Sequence, residues 1–477
     1  MKKRIVLMMA VMMAAALAFA ACTATPDSGG GADNTGAAAS TTAPAVSGSE
    51  PEPELSSYDQ LMALLENPES ALALSGVQPK SYEGRGNVFK ALDNITPKAV
   101  GDIKIGWAAA SLGSEFFEGL RDSAQGEAQK LGFQPIDLQS ADFNLQTQQQ
   151  QVDTYITNQI DALILNAVDL HSSTQMIKAV NDAGIPVLVT GPTAAKPEYQ
   201  MITAIISGSN ESGFQVGQYC AEQLYKPGEA LRVGMIISKL EDADSNSRPC
   251  GWIAGYLFKS AEINGQPYDS KYDAILEAYG IWMDYKARRS YDLSDKGLNL
   301  TQLGVGEGTS ADNGRTAVQD IIVADPGMQL LVSEMDSMAV GAIPELKTQG
   351  KTPGQDIKVV TCADATTTAL DMIRSGELMA TATNIPFMAA TSMVDIIYDL
   401  FVGGRDGAPD GAKTPAEAAV YYNNLPATSF TPTIAITAEN VDTYYPTNEP
   451  APFDTFAKYD PYTPLSIDEY NELHKND

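Results

Sequence analysis

Histidine is almost missing: the 477 residues hold two, His171 and His474, which removes the raw material of His-rich zinc sites and of most His-dependent catalytic triads. Four cysteines are too few for a disulfide scaffold at this length. Positive charge is scarce too, with 31 basic residues against 60 acidic ones. That field repels a duplex or an anionic bilayer, so nucleic-acid binding is not expected. There is no Gly-x-Ser-x-Gly elbow and no phosphate-cradling loop. Gly304-x-Gly306-x-Gly308 lacks that loop's spacing and reads as an ordinary loop. The Asp-x-Asp-x-Asp pattern of a calcium loop is also missing, and no cofactor is expected.

What is present is a chain too long for one compact core, suited to two or three units of about 150 residues each. Its 44% hydrophobic residues suffice to bury cores in most of it. Lys2-Lys3-Arg4 precedes an apolar run from Ile5 to Ala21 and then Cys22. A basic start, a short apolar run and small residues before a cut predict a secretory signal over 1–21, too short for a comfortable membrane span. Leu17-Ala-Phe-Ala-Ala-Cys22 resembles a bacterial lipobox, with Phe19 where a smaller aliphatic is usual. The resemblance implies that Cys22 is lipidated. Residues 22–57 are rich in Gly, Ala, Ser, Thr and Pro, a composition that cannot offset the entropy of ordering. As a coil of about 35 residues they would act as a tether some 30–35 Å long on average.

Residues 58–100 read as a helical appendage separate from the main fold, with Leu61, Leu64, Leu65, Leu72 and Leu74 as its apolar positions. From Asp102 onward, apolar runs alternate with helical periodicity. Strands are expected at Ile103 to Ala110, near Ile136, and at Ala162 to Leu165, Ile185 to Val189, Leu231 to Ile237, Gln329 to Ser333 and Ile357 to Val360. Helical patterns follow each, including one beginning at Arg248 and one at Asp336. Alternation of this kind predicts right-handed βαβ crossovers and parallel sheets covered by helices on both faces. The architecture expected is α/β, with two Rossmann-like lobes. An internal echo supports the split: Asn166 to Asp169 with Ile185 to Leu188 parallels Ser333 to Asp336 with Ile357 to Val360. Asp169 and Asp336 read as helix N-caps in both copies.

One family orders its motifs this way. Ser111-Leu-Gly-Ser-Glu-Phe-Phe117, Gly184-Ile-Pro-Val187, Ile206-Ser-Gly-Ser-Asn210, Asp336-Ser-Met-Ala-Val-Gly341, Ala363-Asp364, Asn384-Ile-Pro386 and Pro432 to Val441 together resemble the ribose/galactose type I periplasmic-binding fold, the sugar-binding proteins of ABC importers. The resemblance covers about Ile103 to Asp442. It implies lobe one over 101–208 and 385–430, lobe two over 209–384 and 431–443, and a C-terminal tail over 444–477. Three crossings join the lobes, near Ser207 to Asn210, Thr383 to Pro386 and Thr428 to Thr433. It also implies a monomer that binds a sugar or polyol between its lobes and docks onto an ABC permease, held to the membrane by its lipid. A ligand sensor for a membrane receptor is an alternative on the same fold. A secreted carbohydrate-active enzyme is another, with Glu115 and Asp364 as its two carboxylates.

Ligands of open α/β sheets bind beyond the carboxyl ends of the strands, and a sugar needs paired donors and acceptors together with rings to stack on. The candidates on those loops are Ser114, Glu115, Phe116, Phe117, Asn166, Arg248, Trp252, Glu334, Asp364 and Asn384. One of the two Phe rings is expected to face the cleft. Glu115 departs from the family pattern, and two roles stay open for it: a carboxylate in the pocket, or a charge favoured by the helix N-terminus. Arg315 reads as a surface residue. Two further departures stand out: Gly191-Pro192 replaces a frequent Asp-Arg pair, and Met335, beside Glu334, replaces an asparagine. They leave the identity of the sugar open. Cys220, Cys250 and Cys362 read as buried thiols, with one disulfide possible, and 264–300 as an insertion in lobe two.

Overall fold

A computed structural model describes residues 55–65, 67–77, 92, 95–168, 173–191, 201–384, 386–409, 412–423, 428–431 and 433–445. The leader, Cys22, nearly all of the tether, Asp169, Pro192 and the tail beyond Tyr445 lie outside them.

Two short helices open the described chain, α1 (Ser57–Leu65) and α2 (Pro68–Ala73). Then come β1 (Ile105–Ala109), α3 (Glu115–Leu131), β2 (Asp137–Ser140), α4 (Leu145–Thr157), β3 (Ala162–Asn166), α5 (Ser173–Asp182), β4 (Val187–Thr190) and β5 (Ala204–Ser207). The chain crosses to the second lobe into α6 (Ser209–Leu224), followed by β6 (Leu231–Ile237), α7 (Ala243–Ile263), α8 (Lys271–Arg288), β7 (Tyr291–Leu293) and β8 (Leu298–Val305). That lobe continues through α9 (Ala311–Ala324), β9 (Leu330–Ser333), α10 (Asp336–Thr348), β10 (Lys358–Thr361), α11 (Thr367–Ser375) and β11 (Ala380–Ala382). A second crossing leads to α12 (Pro386–Phe401), α13 (Pro415–Asn423) and β12 (Thr428–Thr431). A third returns to β13 (Ala435–Thr437) and α14 (Val441–Tyr444).

The first sheet runs β12-β5-β4-β3-β1-β2, every pair parallel. The second runs β13-β11-β10-β9-β6-β8-β7, parallel except at its two edge pairs. β1, β3, β4 and β9 are buried at every position, as strands covered by helices on both faces must be. α3 shows how a helix attaches. Leu120, Ala124 and Ala128, four apart, face the core, Ser114 caps its start, and Gly132, at φ 90°, ends it.

Two readings from sequence change here. The segment over 58–100 is not a separate appendage. Leu61 and Leu74 are fully buried in the second-lobe core, and the Asn210 N–H donates to the Ser75 carbonyl at 3.1 Å, against the first crossing. Leu92 and Ile95 then pack into the first-lobe core, so this stretch touches both lobes. Residues 264–300, read as an insertion in lobe two, are built into that lobe: Leu298 to Leu300 of β8 pair with β6, and Trp282 of α8 is fully buried. Asp336 caps nothing: Met335 holds the N-cap position. The buried Asp336 carboxylate accepts from Thr381 Oγ1 at 2.7 Å and from the Thr366 N–H at 2.8 Å, which ties β11 and the loop after β10 to the start of α10.

Cys220, Cys250 and Cys362 are free and fully buried in the second lobe. Burial pushes the Cys220 and Cys250 thiols up to about 12.

α6 and α7 pack backbone against backbone. Gly213 and Gly217 lie four apart on α6, as do Gly251 and Gly255 on α7, so each pair lies on one helix face. A Cβ added to Gly251 would stand 1.9 Å from the Asn210 carbonyl oxygen, and one added to Gly213 would stand 2.0 Å from that of Arg248. Since the obstacle is backbone, neither helix can yield by turning a side chain. Gly251→Ala is expected to cost at least about 1–3 kcal/mol, read as a lower urea midpoint. Ala254→Gly on the same helix, which adds no atom, should cost about 1 kcal/mol in propensity plus about 0.8 kcal/mol for its buried methyl, without a backbone clash.

Candidate functional site

The two lobes face each other across a cavity of about 320 Å³, large enough for a small molecule. Its lobe-one wall comes from the ends of three strands: Ser114 to Phe117 after β1, Phe143 after β2, and Asn166 closing β3. The lobe-two wall comes from Asp242, Asp244 and Arg248 after β6, Thr309 and Ser310 after β8, Met335 and Ser337 after β9, and Asp364 to Thr368 after β10. Asn384, on the second crossing, completes it.

Arg248 is the centre of the lobe-two wall. It is only 2% exposed, and Nη2 stands 3.6 Å from both Asp244 Oδ2 and Asp364 Oδ1. Nη1 donates to the Glu334 carbonyl at 3.4 Å, and Nε has no partner within the described protein. Burial alone would weaken this cation, yet Asp244, Asp364 and Glu334 together hold its pKa above the ordinary arginine value. The local fold explains the placement. Helix α7 starts at Ala243, five residues earlier than the sequence pattern suggested, capped by the Asp242 carboxylate, which accepts from the Ser245 N–H at 3.0 Å. Pro249 sits inside the helix.

Asp364 accepts from Asn384 Nδ2 at 3.2 Å. Burial, opposed by Arg248 and reinforced by Asp336, pushes its carboxyl up to about 6. Asn166 stands on the opposite wall with its amide committed: Oδ1 accepts from the Ala110 N–H at 3.1 Å and Nδ2 donates to the Thr190 carbonyl at 3.0 Å. It fastens three strand ends together beneath the cavity. Phe116 and Phe117, both half-buried, meet edge to face at 5.4 Å, and Phe117 meets Phe143 at 6.0 Å. Both Phe116 and Phe117 line the cavity, where one had been expected to turn inward.

Glu115 takes a third role. Its carboxylate reaches across the cleft and accepts from the Thr367 N–H at 2.7 Å and from Thr368 Oγ1 at 3.1 Å, so the helix N-terminus it serves is that of α11 in the other lobe. Lys239 of lobe two likewise stands 5.4 Å from the ring centre of Phe143 in lobe one. Ser114 lines the cavity while capping α3.

Two expected site residues are elsewhere. Trp252 is fully buried and stacks on Tyr256 at 5.4 Å within the second-lobe core. It lies one helical turn beyond Arg248, where the same face of α7 has passed from cavity to core. Glu334 is fully buried and absent from the cavity lining; its Oε1 accepts from the Ser238 N–H at 2.9 Å while Oε2 has no partner. Arg315 is exposed and pairs with Asp312 at 2.7 Å, away from the cavity. Sequence reading missed Phe143, Asp242 and Asp244, although the rule that sites gather after strand ends points to the loops after β2 and β6. Among the described residues no group of acidic, His or Cys side chains is arranged to hold a metal ion.

Residues 105–405 match the family model for the periplasmic binding protein domain. The chain belongs to that family. Among curated relatives, the ribose import binding protein of Escherichia coli K12 is 26% identical over 295 residues, covering 61% of this chain and 82% of the relative. That of Bacillus subtilis 168 is 22% identical over 308 residues, covering 64% and 83%. An ABC transporter solute binding protein from Bacillus halodurans C-125, with bound myo-inositol, superposes with a TM-score of 0.53 at 22% identity, covering 73% of this chain and 98% of that one. The arabinose-binding component from Shewanella sp. ANA-3 gives 0.54 at 16%, covering 75% and 98%. Two α/β lobes enclose the cavity of this periplasmic binding protein. Its α1 and α2 precede the matched region, and no described helix is long and apolar enough to cross a membrane.

The buried acid beneath the floor has a measurable consequence. Burial first, and then Asp242, pushes Glu334 up to about 8. A carboxyl with a raised folded-state pKa stabilises the fold most below its unfolded value, and that contribution is lost as pH rises through the folded value. Glu334→Gln keeps an acceptor for the Ser238 N–H. It is expected to gain stability relative to the parent as pH rises from about 5 to 8, in denaturant melts at each pH.

Proposed function

We propose that this chain is the extracytoplasmic binding component of an ABC importer, lipidated at Cys22. It takes a sugar or sugar-like polyhydroxylated molecule into the inter-lobe cavity, closes on it by hinge motion, and presents the closed form to a membrane permease. The observation that carries this reading is a cavity walled by both lobes, with side chains reaching across it, in a family whose curated relatives are ribose import binding proteins. The cavity chemistry agrees: phenyl rings on one wall suit sugar C–H faces, while a guanidinium and carboxylates on the other suit hydroxyls.

Binding without turnover fits the site better than hydrolysis. Of the two carboxylates an enzyme would use, Glu115 is held by the donors of α11, which leaves Asp364 without the second carboxylate that hydrolysis needs. The three crossings, between β5 and α6, β11 and α12, and β12 and β13, are short enough to act as a hinge. A ligand touching both lobes then draws the population toward closure.

Small-angle scattering of the protein with and without a saturating sugar is expected to show a smaller radius of gyration in the bound form; an unchanged radius counts against hinge closure. The Glu115 bridge forms only when the lobes face each other, so Glu115→Ala is expected to weaken ligand binding about two- to fivefold. Calorimetry measures this, and the melting temperature of the ligand-free protein should stay unchanged.

A further inference from the structure

The two walls of the cavity differ in kind. On the lobe-one side the lining is Ala110, the rings of Phe116, Phe117 and Phe143, and Ala167 with Val168. Its polar members are engaged within the protein: Asn166 holds strand ends, Ser114 caps α3, and Glu115 bonds to α11. On the lobe-two side three carboxylates line the cavity, those of Asp242, Asp244 and Asp364, with Arg248 as the single cation among the lining residues. Lys239, whose ammonium stands over the Phe143 ring, is not part of the lining.

One guanidinium does not neutralise three carboxylates, and its pairs with Asp244 and Asp364 are loose at 3.6 Å. When the lobes close, this surplus acid loses water, and a buried charge is costly unless it is paired. A neutral sugar supplies hydroxyl donors but no compensating charge. An ammonium group supplies both, and it is also attracted to the faces of aromatic rings. Arg248 is 98% buried, and its Nε has no partner among the described residues.

We propose that the ligand is a hydroxylated primary amine, such as an amino sugar or aminocyclitol, whose ammonium faces Asp242, Asp244 and Asp364 while its C–H face lies on the phenyl rings and a hydroxyl oxygen accepts from Arg248. The inference rests on the binding function proposed above and narrows its ligand class. The acids respond to this setting: burial, only partly offset by Arg248, pushes Asp364 up to about 6, and burial with Asp244 raises Asp242.

The test is calorimetry on the full chain with matched probes: D-glucosamine, D-galactosamine and an aminocyclitol, each against its neutral counterpart (D-glucose, D-galactose, myo-inositol), and N-acetylglucosamine, where the charge is masked. At least one amine is expected to bind ten times or more tightly than its neutral and acetylated counterparts. Asp364→Asn and Asp242→Asn retain hydrogen-bonding and capping ability, and each should bring that ratio close to one; thermal melts confirm that both fold. Neutral sugars binding as tightly as the amines, or an amine preference that survives both substitutions, overturns the inference and leaves the binding function standing. Binding of no probe of either kind overturns both.

Discussion

A guanidinium removed from water at the meeting of two lobes sets the terms for the rest of this molecule. Arg248 is 98% buried among carboxylates, and a buried cation persists only where its partners are held in place. Its position comes from α7, whose backbone lies directly against that of α6 through paired glycines. α6 in turn starts one residue past the first crossing. Ser209 at that crossing bonds to Asp244, which also faces Arg248. Crossing, helix pair and cavity wall therefore form one connected unit, which faces the rings of lobe one across the cavity.

Much of the fold is legible in the sequence because parallel strands buried on both faces leave short uninterrupted apolar runs between helical patterns. Leu231 to Ile237 was placed to the residue and the ends of β1, β3, β4, β9 and β10 to within two, while β5, β7, β8, β11, β12 and β13 were not placed. Failures occurred where a helix or strand carried the wrong surface signal. Pro249 and the polar stretch before it hid the first turn of α7, which Asp242 caps. The Tyr-, Lys- and Asp-rich run before β8 concealed an integral strand. The glycine spacing in α6 and α7 stood in plain view but gains meaning only once the two helices are known to touch.

The cavity was legible to a lesser degree. Residues next to strand ends, from Ser114 to Phe117, Asn166, Asp364 and Asn384, all reach it, because strand ends alone decide where such loops converge. Trp252 and Glu334 do not, since adjacency in sequence cannot say which side of a wall a side chain takes. Asn166 teaches a finer lesson: an amide at the right place had its hydrogen bonds already assigned by neighbouring backbone. The stretch from α1 to Leu92 was set aside as an appendage because its short amphipathic pattern gave no hint of a partner. In the structure it presses on the first crossing and then joins the core of the other lobe.

The three free cysteines carry one more consequence. Cys220, Cys250 and Cys362 all sit in the interior of the same lobe, fully shielded, and burial raises each thiol well above its ordinary pKa. A thiol reacts as its thiolate, so alkylating reagents gain access only when that lobe opens. The labelling rate of these sulfurs therefore reports how often lobe two opens.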